Sequence, residues 1–354
     1  MSTSPGAPPV IVRIDGHLGR LILNRPTVIN ALNAEMVAIM RRALADWAGD
    51  DRVRTVLITG EGERGLCAGG DIRAIHADAV SGGTGALQFW ADEYRLNAAI
   101  AGYPKPVVAW MDGIVMGGGI GISGHAALRV VTERSRLAMP EVGIGFHPDV
   151  GASWLLAHAP GRVGTHLALT GTAVGPADAI TARLADHYVP AGRRDDLVDA
   201  LRSKDAAAAV ESLAAEPPPG ELDAARGWVD ECYAAATVAG ILDRLAAHPA
   251  PAARDAAEVI AGRSPTALRV TLRSIRTAAG LPGLAAALEQ EYRLSARMLR
   301  LPDFAEGVRA QIIDKDRRPR WRPPTLAEVP DAAVDACFAP IPDPPDLRPG
   351  GPAR

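Results

Sequence analysis

Cysteine is scarce in this chain. Only Cys67, Cys232 and Cys337 occur among 354 residues, far apart, with no CxxC pair and no metal-ligand spacing. Neither a disulfide framework nor a zinc site is expected, which suits a reducing, cytoplasmic setting. An excess of charge is also missing: 38 basic residues against 41 acidic ones leave a net charge of −3. No general field draws such a chain to nucleic acid or to an anionic membrane. Nor is there an uninterrupted span of about 18 apolar residues of the kind that crosses a bilayer. The nearest candidate, 106–131, is broken by Asp112, His125, Arg129 and several glycines. The opening MSTSPGAPPV has no basic stretch followed by an apolar one, so no secretory signal is expected.

What is present is ample material for a core, with 48% hydrophobic residues. The segment PVIVRIDGHLGRLILNRP alternates and pauses at Asp15 and Gly16, a hairpin signature. A helical repeat follows in NALNAEMVAIMRRALADWAGDD, then the β-branched run VRTVLITGEG. Strands alternating with helices predict an α/β layer structure through residue 202. Around 203–222 alanine gives way to PPPG, and the chain from 223 to 301 has helical spacing, with Ser264-Pro265 a good helix start. The expected organisation is therefore 1–202, a helical region 203–329, and a loose Pro-rich tail 330–354.

Five glycines in the first nine residues of MGGGIGISGHAALRVV suggest main-chain contact with something bound. Gly119, Gly121 and Gly124 fit GxGxxG. A dinucleotide fold, however, needs a longer helix before the next strand, and here RVVTE begins five residues after Gly124. Packing of a helix on a strand is the bland alternative. GLCAGGDI and MGGGIG together support another reading, in which two free backbone N–H groups converge as an oxyanion hole for an acyl carbonyl.

CAGGDI, MGGGIGIS and AMPEVGIGFHPDVGASWLL resemble the crotonase (enoyl-CoA hydratase/isomerase) superfamily. NRPTVINALN, SPTALRVTLRSI, EYRLSARM and DFAEGVRAQIIDKDRRPRW extend the likeness over about 10–329 and are most similar to its 3-hydroxyisobutyryl-CoA hydrolase branch. The resemblance implies an α/β fold, a crotonase-like spiral of ββα turns with a helical C-terminal part, and an acyl-CoA substrate lying between the two. Coenzyme A would be part of the substrate, with no metal and no redox cofactor. By motif position the oxyanion donors would be the N–H groups of Gly70 and Gly118. Ala68, Asp71 and Ile72 would line the adenine and pantetheine path, Arg25 and Arg73 would approach the CoA phosphates, and Gly117, Gly121 and His147 would border the acyl group.

Hydratases of the superfamily hold water with two glutamates. The position of the first is Gly121 here, the second matches Glu141, and Asp149 stands where the hydratase motif carries glycine. That exchange is the pattern of the hydrolase branch, and it implies conversion of 3-hydroxyisobutyryl-CoA to 3-hydroxyisobutyrate and CoA, a step of valine catabolism. Glu141 would attack the thioester or activate water, and Asp149 would handle the water and the leaving thiolate. Taken as isolated residues, Glu141 and Asp149 read equally as a surface ion-pair member and a turn residue. His147 departs from the family pattern, which carries an aromatic there.

Other candidates are weaker. Ser123 and His125 miss the GxSxG elbow, Cys67 reads as packing, and Glu133 and Glu93 read as a strand-end and a helix-face charge. Two other functions remain open, a hydratase or isomerase working with Glu141 alone and a non-catalytic CoA-binding scaffold. Family members commonly assemble as homotrimers or trimer pairs through C-terminal helices, a surface that 203–262 would cover here.

Overall fold

A computed structural model describes residues 7–347 of the chain. The expected hairpin is formed by β1 (Val10–Asp15) and β2 (Leu18–Leu23), antiparallel, with Val10 opposite Leu23 and Asp15 opposite Leu18. Asn33 then caps helix α1 (Ala34–Ala48), its side chain accepting from the Met36 N–H, and the apolar stripe Met36, Val37, Met40, Leu44 and Trp47 is buried. Strand β3 (Thr55–Gly60) returns parallel to β2. After helices α2 (Ile72–Ser81) and α3 (Gly85–Ala101) come β4 (Val107–Met111), β5 (Ile114–Met116) and the short helix α4 (Gly118–Ser123).

Strands β6 (Leu128–Val131) and β8 (His187–Tyr188) complete a six-stranded sheet in the order β1-β2-β3-β4-β6-β8, parallel after the first pair. β5 pairs with β7 (Arg136–Ala138) in a separate two-stranded sheet, which an isolated bridge from Cys67 to Val115 extends. Each of two successive turns thus sends one strand to each sheet before a helix.

The central strand β4 is buried along its whole length. Val107, Ala109 and Met111 face the main core, while Val108 and Trp110 face a second cluster with Leu57, Val130 and Leu197. This two-sided burial explains the unbroken apolar run VVAWM. The second cluster is closed by helices 194–201 and 206–211, the latter capped by Asp205. The boundary expected at 203 therefore falls between two helices that cover the same sheet face.

Six further helices lie between Leu222 and Val308. The Pro265–Ala278 helix begins as its sequence predicts, with Ser264 Oγ accepting from the Ala267 N–H. The Leu284–Met298 helix packs on α3 and brings Glu291 and Ser295 to the main core. The stretch expected to be loose holds a helix at Asp331–Phe338, with Val334, Cys337 and Leu347 buried. Arg269 and Arg273 pair with Asp331 and Asp335, and Arg95 Nε donates to the Asp346 carbonyl at 2.7 Å. A stripe of small apolar residues on this helix outweighs the proline on either side. Residues 348–354 of the expected tail lie outside the described residues.

Candidate active site

Two glycine-bearing loops meet at a cavity of about 320 Å³. Ala68, Gly69 and Gly70 come from the loop before α2, Ile72 from its first turn, and Gly117 and Gly118 from the start of α4. The volume suits an acyl group with its thioester, the lower end of ligand-sized pockets, so the bulk of a CoA would lie outside. Gly70 and Gly118 sit side by side, the Gly70 nitrogen lying 3.3 Å from where a Cβ on Gly118 would be. That same Cβ would meet Glu93 Oε1, so a side chain at 118 would displace the Glu93 carboxyl. Among the described residues neither N–H has a backbone or side-chain acceptor, leaving both free to face a ligand oxygen.

The acids converge on this place. Glu141 opens the 3-10 turn Glu141–Ile144 after β7; it is buried, and its Oε2 has no partner among the described residues. Oε1 lies 3.0 Å from the Cβ position of Gly117, beside the paired N–H groups. Asp149 lines the same cavity and accepts a 2.7 Å hydrogen bond from the Tyr94 hydroxyl. Burial lifts both carboxyls, Glu141 far above the usual range with the Asp149 charge adding to the effect, and Asp149 to about 7 in spite of Tyr94.

Asp149 is held from behind. Val150 takes a φ of 55°, a costly conformation for a β-branched residue, and Gly151 follows at 82°. Two neighbours fix that turn. His125 Nε2, on an imidazole kept neutral by burial, donates to the Val150 carbonyl at 2.8 Å. Glu291 accepts from the Gly151 and Ser153 N–H groups at 2.6 and 2.9 Å. Burial nevertheless raises Glu291 to about 8.

Several expectations are corrected by these positions. Glu93 is no helix-face charge: it is 2% exposed, lines the cavity, and its Oε1 has no partner among the described residues. Burial and then the Asp149 charge raise its carboxyl well above the usual range. His147 does not border the cavity; Phe146 does, stacked on Trp90 at 5.2 Å, while His147 is fully buried and turned toward Ser295. Gly121 is also away from the cavity, and a Cβ there would lie 2.7 Å from Val150 Cβ and 2.9 Å from Asn97 Nδ2.

Arg25 is engaged with Asp71 at 3.1 Å and with the Ala31 carbonyl, so it braces the loop from within. Asp71 itself lines a neighbouring depression rather than this cavity. Arg73 donates to the Ile312 carbonyl at 2.6 Å, tying α2 to the C-terminal half, and Ile312 and Gln311 close the cavity there. Arg263, which the sequence left unremarked, also lines the cavity and donates to the Thr170 carbonyl.

Cys67 is fully buried and its thiol is pushed up to about 12, which removes it as a nucleophile. Ser123 Oγ donates to the Gly119 carbonyl at 2.6 Å, and His125 points to Val150, so they form no pair. Glu133 accepts from the Ala191 N–H at the end of the main sheet, as a strand-end charge should. Among the described residues no helix is long and apolar enough to cross a membrane.

Comparison with known proteins agrees with this geometry. The chain is 38% identical to the mitochondrial 3-hydroxyisobutyryl-CoA hydrolase of Gallus gallus, over 94% of its own length and 89% of that protein's. The mitochondrial 3-hydroxyisobutyryl-CoA hydrolase of Homo sapiens is 36% identical, over 93% and 88%. Among solved structures, a carnitinyl-CoA dehydratase from Mycobacterium thermoresistibile shares 53% identity with a TM-score of 0.93, over 97% of this chain and 99% of that one. An enoyl-CoA hydratase from Rhodobacter sphaeroides 2.4.1 shares 42% with a TM-score of 0.87, over 94% and 98%. A model of the enoyl-CoA hydratase/isomerase family matches residues 18–338. With the crotonase fold, the paired glycine loops and that match over most of its length, the chain belongs to the enoyl-CoA hydratase/isomerase family.

Proposed function

We propose that the chain hydrolyses an acyl-CoA thioester, 3-hydroxyisobutyryl-CoA in the first instance, to the free acid and CoA. The carrying observation is that Asp149, seated by Tyr94, shares one cavity with Glu141 and the free N–H groups of Gly70 and Gly118. The relatives named as hydrolases support the same substrate. The thioester oxygen would accept from the two N–H groups, each donor stabilising the tetrahedral oxyanion by roughly 3 to 4 kcal/mol. Backbone donors then give the electrophilic assistance, and the reaction calls on no metal or redox cofactor.

Glu141, beside those donors, would add to the carbonyl carbon to form a mixed anhydride or take the proton from an attacking water. Phe146, Trp90 and Ile144 would enclose the acyl group, and the CoA chain would leave past Ala68 and Ile72, toward Arg73. A homotrimer or trimer pair and a cytoplasmic location complete the reading.

A second reading is favoured by the solved structures described as a dehydratase and a hydratase. In it Glu141 moves water on or off a double bond and the thioester survives. Against it stands position 121, where a side chain meets Val150 and Asn97 at once. Release of free thiol from 3-hydroxyisobutyryl-CoA, followed beside loss of the conjugated chromophore of crotonyl-CoA, separates the two. Thiol release that collapses in Glu141→Gln and in Asp149→Asn, with crotonyl-CoA untouched, supports hydrolysis. Chromophore loss without thiol release returns the chain to hydration, and acyl-CoA binding with neither signal would mark a scaffold.

A further inference from the structure

Asp149, Tyr94, Ser295 and His147 stand in one unbranched line. Asp149 Oδ2 is 2.7 Å from the Tyr94 hydroxyl, which is 2.9 Å from Ser295 Oγ. Ser295 Oγ is 3.1 Å from His147 Nε2, and His147 Nδ1 is 3.0 Å from the Pro148 carbonyl oxygen. Tyr94, Ser295 and His147 are fully buried and Asp149 nearly so. Each contact must therefore hold a proton of its own, or two lone pairs face each other in the interior.

The protons can be counted. Four contacts need four. Tyr94 brings one, Ser295 one and a neutral imidazole one, so the fourth belongs either to a second imidazole nitrogen or to the Asp149 carboxyl. Burial holds the imidazole neutral, pushed down to about 3. With the fourth proton on Asp149 the Tyr94 contact reverses from the donation that an ionised carboxylate receives. Every donor then runs the same way, from Asp149 to Tyr94, to Ser295, to Nε2, and from Nδ1 to the Pro148 carbonyl.

We propose that the substrate-free enzyme stores a proton on Asp149 through the line Tyr94–Ser295–His147, so that Asp149 enters the reaction as the acid and His147 is a positioning residue. The mechanistic part rests on the hydrolase reading above. A charge on Asp149 is opposed by Glu93 from α3, Glu141 across the cavity and Glu291 from the Leu284–Met298 helix, each of whose carboxyls it raises. Tyr94, by donating to an ionised Asp149, acts the other way. The cavity's Arg263 is committed to the Thr170 carbonyl, and the neutral His125 to the Val150 carbonyl.

The reacting form is the one in which the pair holds a single proton, on Asp149, whose charge then no longer raises Glu141. From it the Glu141 carboxylate adds to the thioester carbon and the C–S bond breaks. The Asp149 proton passes to sulfur, giving CoA as the neutral thiol, a mixed anhydride and an Asp149 carboxylate. Water then adds to the acyl carbon of the anhydride and its proton goes to Asp149, while Glu141 departs as a carboxylate and the product leaves as the acid. While Asp149 is ionised, one contact in the line lacks a proton, and this favours the proton's return.

The family's aromatic at position 147 gives a natural control. With Phe there, Ser295 can donate to Tyr94 and Tyr94 to an ionised Asp149, so two contacts are met by two protons. The test is infrared spectroscopy of substrate-free protein in a Glu141→Gln background, with and without Asp149→Asn. The difference isolates the protonated Asp149 carboxyl band, which is followed from about pH 5 to about pH 9.

The band is expected to persist toward pH 7. His147→Phe should lower its midpoint by about one unit or more, and Ser295→Ala should do the same if the first variant folds poorly. With Glu141 restored, the alkaline limb of kcat should move down with it, about tenfold lower activity beyond the midpoint per unit, with KM little changed. A band absent throughout the range, or a midpoint unmoved in both variants, overturns the proposal. Because the band is read without substrate, it decides the proton's place even if no thioester is cleaved.

Discussion

Gly121 offers the sharpest test of how the site is built. Replacing it with alanine adds one carbon, 2.7 Å from Val150 Cβ and 2.9 Å from Asn97 Nδ2. An ordinary carbon–carbon contact is about 4 Å, so something must yield by roughly 1 Å. Overpacking of this kind costs about 1 to 3 kcal/mol, against which alanine's better helix propensity returns at most about 1 kcal/mol. The net expectation is a loss of about 1 to 2 kcal/mol, read as a lower denaturant midpoint with unchanged slope.

The larger effect should be on turnover. Val150 is already held at a φ of 55° and directly follows Asp149, so a push on Val150 displaces that carboxyl. Misplacement by about 1 Å can lower kcat on the order of a hundredfold. Thiol release should therefore fall far more than stability does. Gly121→Glu, which restores the family's first acid in name, should gain no hydration, because its first side-chain carbon already meets Val150 and Asn97. A stable Gly121→Ala protein with normal kcat would refute the reasoning.

Three other outcomes are expected. Asp149 is raised from 3.8 to about 7, so the folded chain binds the extra proton and its stability contribution falls as pH rises through that window. Relative to Asp149→Asn, the wild type should lose roughly 4 kcal/mol between about pH 4 and pH 7 in denaturant titrations, and a flat difference would contradict the burial of that carboxyl. Cys67 should resist alkylation in the native state, and Cys67→Ala should keep kcat within about threefold while costing about 1 to 2 kcal/mol of packing. Truncation after Pro330 should destabilise the protein by several kcal/mol, judged by thermal unfolding, since it strips Val334, Cys337 and Leu347 from the core.

Much of this was legible in the sequence, and the failures have physical reasons. The hairpin at Asp15-Gly16, the Ser264-Pro265 helix start and the two glycine loops are local signals, readable from neighbours in the chain. Glu141 and Asp149 came from motif position, because nothing local distinguishes a buried acid from a surface one. Glu93 was missed although a signal existed: with Trp90, Tyr94 and Asn97 it falls at i, i+3, i+4 and i+7 on one buried stripe of α3. A charge on an apolar stripe faces inward. The helix after Pro330 was hidden by composition, since proline at its borders outweighs by eye the spacing of Val334 and Cys337. Motif position puts His147 beside the acyl group and misplaces it, because its partner Ser295 lies 148 residues away and no local signal reveals it.

That last separation bears on how the enzyme comes into being at the ribosome. The seat of Asp149 is built from Tyr94, Glu291 and Ser295, and two of these belong to the helix Leu284–Met298. A nascent chain that has emerged only through the sheet and its covering helices carries both glycine loops and both carboxyls, yet lacks the groups that aim one of them. Catalytic competence should therefore switch on late in synthesis, once the helix carrying Glu291 and Ser295 clears the exit tunnel and docks on α3.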